Sequence, residues 1–124
     1  MTEILLIDDM AGVRRAVVAM LTRAGHSVTA VENGDLGIEL LKTRRFDLVI
    51  TDMLMPGADG AEVLSQVGGM AHRPRAIAIS GGGAGLSADT ALRLAKIKAD
   101  AFLEKPFDRQ DLLAAVDKLL PRAA

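Results

Sequence analysis

The chain has no cysteine, which excludes disulfides, thiolate metal sites and thiol catalysis. It has no tryptophan or tyrosine and only 3 phenylalanines, which argues against a cofactor or single-strand site built on stacked rings. Neither sign of charge dominates. With 15 Lys and Arg against 16 Asp and Glu the net charge is −1, so no overall pull toward nucleic acid or a membrane surface exists. Long apolar runs are missing too. The first, Ile4 to Ile7, is far too short for a signal peptide or a membrane span, and the expected location is cytoplasmic. What remains is 124 residues, 50% of them hydrophobic. That suffices for one domain with one core, spanning 1–124, and excludes a disordered tail.

Short apolar runs alternate with amphipathic stretches. Glu3 to Ile7 reads as a strand buried on both faces, because its apolar residues are continuous rather than alternating. Val13, Ala16, Val17, Met20 and Leu21 then recur at helical spacing, and Gly25 offers a helix stop. Ser27 to Val31 is a second, weaker strand. Asn33 caps a helix carrying Leu36, Leu40 and Leu41, and Asp47 to Thr51 is the third strand. A Pro56-Gly57 turn precedes a short helix with Val63, Leu64 and Val67. Arg75 to Ser80 is the fourth strand, and the glycine-rich loop after it leads to a helix capped by Ser87 or Asp89. Ala101 to Leu103 begins the fifth strand. Asp108 caps a last helix with Leu112, Val116, Leu119 and Leu120 as its core stripe. Five strand–helix units with short connections predict a doubly wound parallel sheet covered by helices on both faces.

In such a sheet, function collects at the carboxyl ends of the strands. The first run ends in Asp8-Asp9, the third in Asp52, the fourth in Ser80 and the fifth in Lys105-Pro106. Carboxylates at neighbouring strand ends repel one another and resist desolvation, so they need a cation or a proton. With oxygen ligands alone, the ion that fits is hard and divalent, and Mg²⁺ fits best. Asp is a known phosphoryl acceptor. Transfer to it needs positive charge and donors on the phosphoryl oxygens, which Mg²⁺, Lys105 and the Ser80 hydroxyl would supply.

Each residue has an ordinary reading when taken singly: Asp8 or Asp9 as a helix cap, Asp52 as a loop acid, Ser80 as a turn residue, Lys105 as a surface lysine. All four would have to hold together, and the combination is much less probable than the site. His26 and His72 have no partner at telling spacing and read as surface residues. Gly81 to Gly85 is not a P-loop, because no Gly-Lys-Ser/Thr follows it.

These motifs, with Asp52 to Gly60 and Lys105-Pro106-Phe107 in that order and spacing, resemble a response-regulator receiver domain of two-component signalling over essentially the whole chain. The resemblance implies a flavodoxin-like (βα)5 fold with strand order 2-1-3-4-5. It implies Asp52 as phosphoacceptor, and a Mg²⁺ site made by Asp9 directly, Asp8 through water, Asp52 and the Leu54 backbone carbonyl. Ser80 would be the switch hydroxyl and Phe102 the switch aromatic, Lys105 would contact the phosphoryl group, and the Lys105–Pro106 bond would be cis. A histidine kinase or histidine phosphotransfer protein would supply the phosphoryl group, and a downstream protein would read the switch. The resemblance implies no direct nucleic-acid or membrane contact.

Three departures stand out. The stretch from Ser80 to Lys105 is longer than usual, Lys98 replaces a helix-ending glycine, and the switch aromatic is Phe rather than Tyr. Leu54 and Gly82 offer no side chain to orient a hydrolytic water, so a long-lived aspartyl phosphate is expected. Leu54 also sits where Asp-nucleophile phosphatases carry a second Asp, and Asp8-Asp9 would repel a nucleotide phosphate. The expected activity is a switch that catalyses only its own phosphorylation and dephosphorylation. With Met1 at one end and Pro121 to Ala124 just past the last helix, the chain looks like a stand-alone receiver, as one cut from a longer protein also would.

Overall fold

The computed structural model describes residues 2–53, 60–80 and 99–120, with Ser80 described in its backbone only. Its strands are β1 (Glu3–Ile7), β2 (Ser27–Val31), β3 (Leu48–Asp52), β4 (Arg75–Ser80) and β5 (Ala101–Glu104). They form one sheet in the order β2-β1-β3-β4-β5, every pair parallel. The expected order is therefore the observed one. The helices are α1 (Ala11–Arg23), α2 (Gly34–Thr43), α3 (Gly60–Gly68) and α4 (Arg109–Leu119). The helix expected after Ser87 or Asp89, the Pro56-Gly57 turn, the glycine-rich loop and Lys98 lie outside the described residues. Among the described residues no helix is long and apolar enough to cross a membrane.

Successive side chains of a strand point to opposite faces, and the central strands supply apolar residues to both. Ile4, Leu6, Leu48, Ile50, Ile77 and Ile79 meet Val17 and Leu21 of α1 and Leu112 and Val116 of α4. Leu5, Ile7 and Val49 meet Leu41 of α2 and Val63 and Val67 of α3 on the other side. Each fully buried aliphatic side chain contributes about 1.5–3 kcal/mol relative to exposure. The continuous apolar runs of β1 and β3 follow from this double coverage, and β2 reads more weakly because it is the edge strand.

Helix ends follow local chemistry. Asn33 accepts a hydrogen bond from the Leu36 N–H at 2.8 Å, and Asp108 and Asp111 form a reciprocal capping box at the start of α4. After α1, Gly25 takes a φ of +96°, which allows the His26 N–H to reach the Leu21 carbonyl and the Gly25 N–H that of Thr22.

Three details differ from expectation. Leu36 is 45% exposed, and Gly34, Gly37 and Leu41 form the buried stripe of α2 instead. A Cβ on Gly37 would come 2.9 Å from Cγ1 of Ile7, so a larger residue there would have to displace the Ile7 side chain. Ala16 is exposed and Val18 packs on the core in its place. β3 begins one residue later than expected, although Asp47 already exchanges backbone hydrogen bonds with Glu3 and Arg75 and its carboxylate accepts the Glu3 N–H at 2.8 Å.

Gly60 opens α3 against the end of β3, where an added Cβ would lie 2.5 Å from the Asp52 carbonyl oxygen and 2.7 Å from the Met53 Cα. Both are backbone atoms and yield poorly. Gly60→Ala should therefore destabilise the protein by about 1–3 kcal/mol, although Ala is the better helix former. Urea unfolding checks this, and a stability equal to or above wild type would contradict the close approach.

Candidate functional site

β1 and β3 are neighbours in the sheet and β5 lies one strand beyond them, across β4, yet their carboxyl ends bring the expected charged residues together. Asp8 follows β1 and is fully buried, Asp52 closes β3 and is 5% exposed, and Asp9 is exposed. Each offers a carboxylate oxygen, and these lie within 4.8 Å of one another. Lys105, just after β5, reaches in over the sheet. Its Nζ lies 3.1 Å from Asp52 Oδ2 and 3.3 Å from Asp8 Oδ2.

The turn between β1 and α1 decides where Asp8 points. Its Oδ1 accepts the Met10 N–H at 2.9 Å, and its backbone carbonyl accepts from Arg14 Nη1 at 2.7 Å. Neither Asp8 nor Asp9 caps α1; Met10 occupies the cap position, without a side-chain bond. The cap reading fails because the Asp8 side chain folds back toward Lys105 rather than over the helix.

Charge is unbalanced here. Among the described residues three carboxylates face one ammonium. Burial raises the Asp8 carboxyl above the ordinary value, and the Asp52 charge adds to this, while the Met10 N–H and Lys105 pull the other way without cancelling it. For Lys105, burial works to lower the pKa, yet the hydrogen bond and charge of Asp52, with Asp8 behind them, outweigh it and hold the ammonium above its usual range. Asp8 Oδ2 is buried and, although within ion-pairing distance of Lys105, has no hydrogen bond of acceptable geometry among the described residues. An under-satisfied buried carboxylate oxygen beside two further carboxylates fits a hard divalent cation.

The other expected residues fall as follows. Ser80 closes β4, opposite Glu104. Phe102 lies on β5 with 42% of its surface exposed. The Lys105–Pro106 peptide bond is cis. Leu54 and Gly82 lie outside the described residues. His72 is exposed, as expected. His26 is not a plain surface residue, because both its ring nitrogens are shielded from solvent without a partner among the described residues, the turn after α1 having folded the ring inward.

Two contributors escaped the sequence reading. Arg14 locks the Asp8 carbonyl, and its one signal was a cation in the first turn of a helix, where the macrodipole disfavours it. Met10 places its sulfur 3.8 Å from Lys105 Nζ and is 55% exposed at the rim. Nothing in its residue type announced that position.

Comparison with known proteins agrees with this arrangement. The family model described as the response regulator receiver domain matches residues 4–117. The response regulator receiver protein CpdR of Brucella abortus is 35% identical over 122 residues, covering 97% of this chain and 98% of CpdR. The transcriptional regulatory protein ResD of Bacillus subtilis is 32% identical over 99% of this chain, which spans only 50% of ResD's length. Among solved structures, the response regulator TrrA of Thermotoga maritima in complex with Mg(2+)-BeF superposes with a TM-score of 0.80 at 27% identity, covering 96% of this chain and 99% of TrrA. A family match over most of the chain, on a sheet whose strand ends carry this acidic cluster and lysine, makes the chain a member of the response regulator receiver domain family.

Proposed function

We propose that the chain is the phosphoacceptor receiver of a two-component phosphorelay, with Asp52 accepting the phosphoryl group. The observation that carries this reading is the Lys105 ammonium 3.1 Å from Asp52 Oδ2, beside the Asp8 and Asp9 carboxylates. A histidine kinase or histidine phosphotransfer protein is the proposed donor. An Asp52 oxygen forms the new P–O bond as the donor's P–N bond breaks, and the departing imidazole keeps the electron pair and takes up a proton. Lys105 is already aimed at the acceptor carboxylate and would follow the charge onto the phosphoryl oxygens. The Ser80 hydroxyl is the proposed second donor to them.

Asp8, Asp9, Asp52 and the Leu54 carbonyl are the groups proposed to hold Mg²⁺, which when bound neutralises phosphoryl oxygens during transfer. The Mg(2+)-BeF complex of TrrA supports that choice of ion. Among the residues of the chain, Asp8 anchors the cluster through the Met10 N–H, Arg14 fixes the turn that aims it, and Asp9 stands at the open mouth. Phe102, exposed on the edge strand, is the proposed reporter to a downstream protein. Autophosphorylation and autodephosphorylation are the only catalysis proposed, in the cytoplasm and on one domain spanning 1–124. ResD is twice this length, so the output of any longer protein is a separate question.

A small phosphodonor with Mg²⁺ should label the protein once, through an acid-stable, alkali-labile bond, and Asp52→Asn should abolish the label. Labelling of that variant at the wild-type rate would remove Asp52 from the role.

Asp9→Ala should weaken Mg²⁺ binding, followed by calorimetry, more than Asp8→Ala does, because a direct ligand outweighs one acting through water. Equal losses in the two variants would contradict the division of roles.

The buried Asp8 charge carries a cost in stability. Because the folded Asp8 carboxyl sits above its ordinary value of 3.8, its contribution to stability is full below that value and is lost as pH rises through the folded one. Without metal, Asp8→Asn should therefore be more stable than wild type at neutral pH, and this gain should shrink as pH falls into the carboxylate range. Asn keeps an oxygen for the Met10 N–H, which isolates the charge. Urea unfolding in chelator across pH tests the sign, and a gain that is absent at neutral pH or grows in acid would contradict it.

A further inference from the structure

The opposite end of the sheet carries a second concentration of charge, with the other sign. β3 and β4 pair in parallel with Leu48 opposite Arg75, so the segments that feed them run side by side. Both are basic. Lys42, Arg44 and Arg45 close α2, and His72, Arg73 and Arg75 stand at the entry to β4. Two adjoining clefts of about 410 and 300 Å³ open there and share Arg45 and His72. The larger has an apolar floor of Ile38, Leu41 and Met70, which belongs to the core cluster beneath α2 and α3.

Not all of this positive charge is compensated within the chain. Arg44 lies 3.7 Å from Glu3 and 5.0 Å above the Phe46 ring. Arg73 and Arg75 share Asp100 at 3.6 and 3.5 Å. Asp47 also lines the smaller cleft, but its carboxylate accepts the Glu3 N–H. Among the described residues no ion pair is made by Lys42 or Arg45, both of which are exposed and line the larger cleft.

We propose that this cleft docks an acidic, amphipathic segment of a partner protein. The apolar floor takes the apolar ridge of the segment, and Lys42 and Arg45 on the rim meet its carboxylates. Charge complementarity sets the sign of the partner, and the floor sets its class. A free phosphate would leave Ile38, Leu41 and Met70 uncovered. A nucleic acid would do the same, and the ring at this end, Phe46, is 7% exposed and lies under Arg44, so it offers no stacking platform. A helix with apolar residues at i, i+3, i+4 and i+7 flanked by Glu uses both features. The length of β3, at about 3.3 Å per residue, separates this end from Asp52. Docking here therefore leaves the proposed phosphoacceptor accessible.

The test uses fluorescence anisotropy on the full chain, at about 0.1 M salt so that only close charges count. The probe is a labelled synthetic helix of about 14 residues with a Leu ridge flanked by Glu. Its counterpart has Lys at every Glu position, and inorganic phosphate and a short DNA duplex serve as competitors. The Glu peptide should bind and the Lys peptide should not. Lys42→Glu/Arg45→Glu, both on exposed side chains, should weaken binding about tenfold or more with an unchanged circular dichroism spectrum. A second variant, Met70→Gln, should weaken it through the floor alone. Equal binding of the two peptides, undiminished binding by the charge-reversed chain, or displacement by phosphate or duplex at equal charge would overturn the proposal. Labelling of Asp52 in the presence of saturating peptide is a separate readout. It should be unchanged, and inhibition would mean that the peptide sits at the acidic end instead.

Discussion

One ammonium group lies between two buried carboxylates, and the site is organised around that shortage of positive charge. Lys105 lies within ion-pairing distance of both Asp52 and Asp8, and Asp9 adds a third negative group at the rim. A low-dielectric pocket makes each charge expensive unless it is paired. Among the described residues one ammonium faces three carboxylates, and Asp8 is raised above its ordinary value first by burial and then by the Asp52 charge. A pocket left in this condition favours whatever brings positive charge or redistributes negative charge. A divalent cation held by the cluster would bring that positive charge.

The fold is what makes the imbalance tolerable. The parallel sheet brings the carboxyl ends of β1, β3 and β5 to one edge, and aliphatic side chains on both faces fix those strands in place. Arg14 and the Met10 N–H then orient Asp8 before any ligand arrives. Gly60 lets α3 start directly against the Asp52 carbonyl. Among the described residues, Lys42 and Arg45 stand without an ion pair at the amino end, away from the acidic cluster at the carboxyl end. The net charge of −1 does not report this separation of charge, which is why composition alone suggested no charged partner.

Much of this was legible in the sequence because the signals were local. Continuous apolar runs marked β1 and β4, Asn33 and Asp108 marked their helices, and polar groups at strand ends marked the site. Errors arose where tertiary packing overrides periodicity. Leu36 fits a helical stripe on paper, but α2 buries Gly34, Gly37 and Leu41 instead, with Gly37 packed against the Ile7 side chain. Arg14 and Met10 were not legible at all, since their roles depend on a turn geometry that no single residue encodes. The basic cleft was equally hidden, because α2 and β4 contribute to it from segments distant in sequence.

The most direct test of the electrostatic account is a ¹³C NMR titration of the Asp8 side-chain carboxyl, first in chelator and then in saturating Mg²⁺. The account requires it to titrate above the ordinary carboxylate value without metal and to move to lower pH when Mg²⁺ is added, since a nearby cation favours the ionised form. An Asp8 that titrates at its ordinary value in chelator, or that Mg²⁺ leaves unmoved, would contradict a pocket short of positive charge.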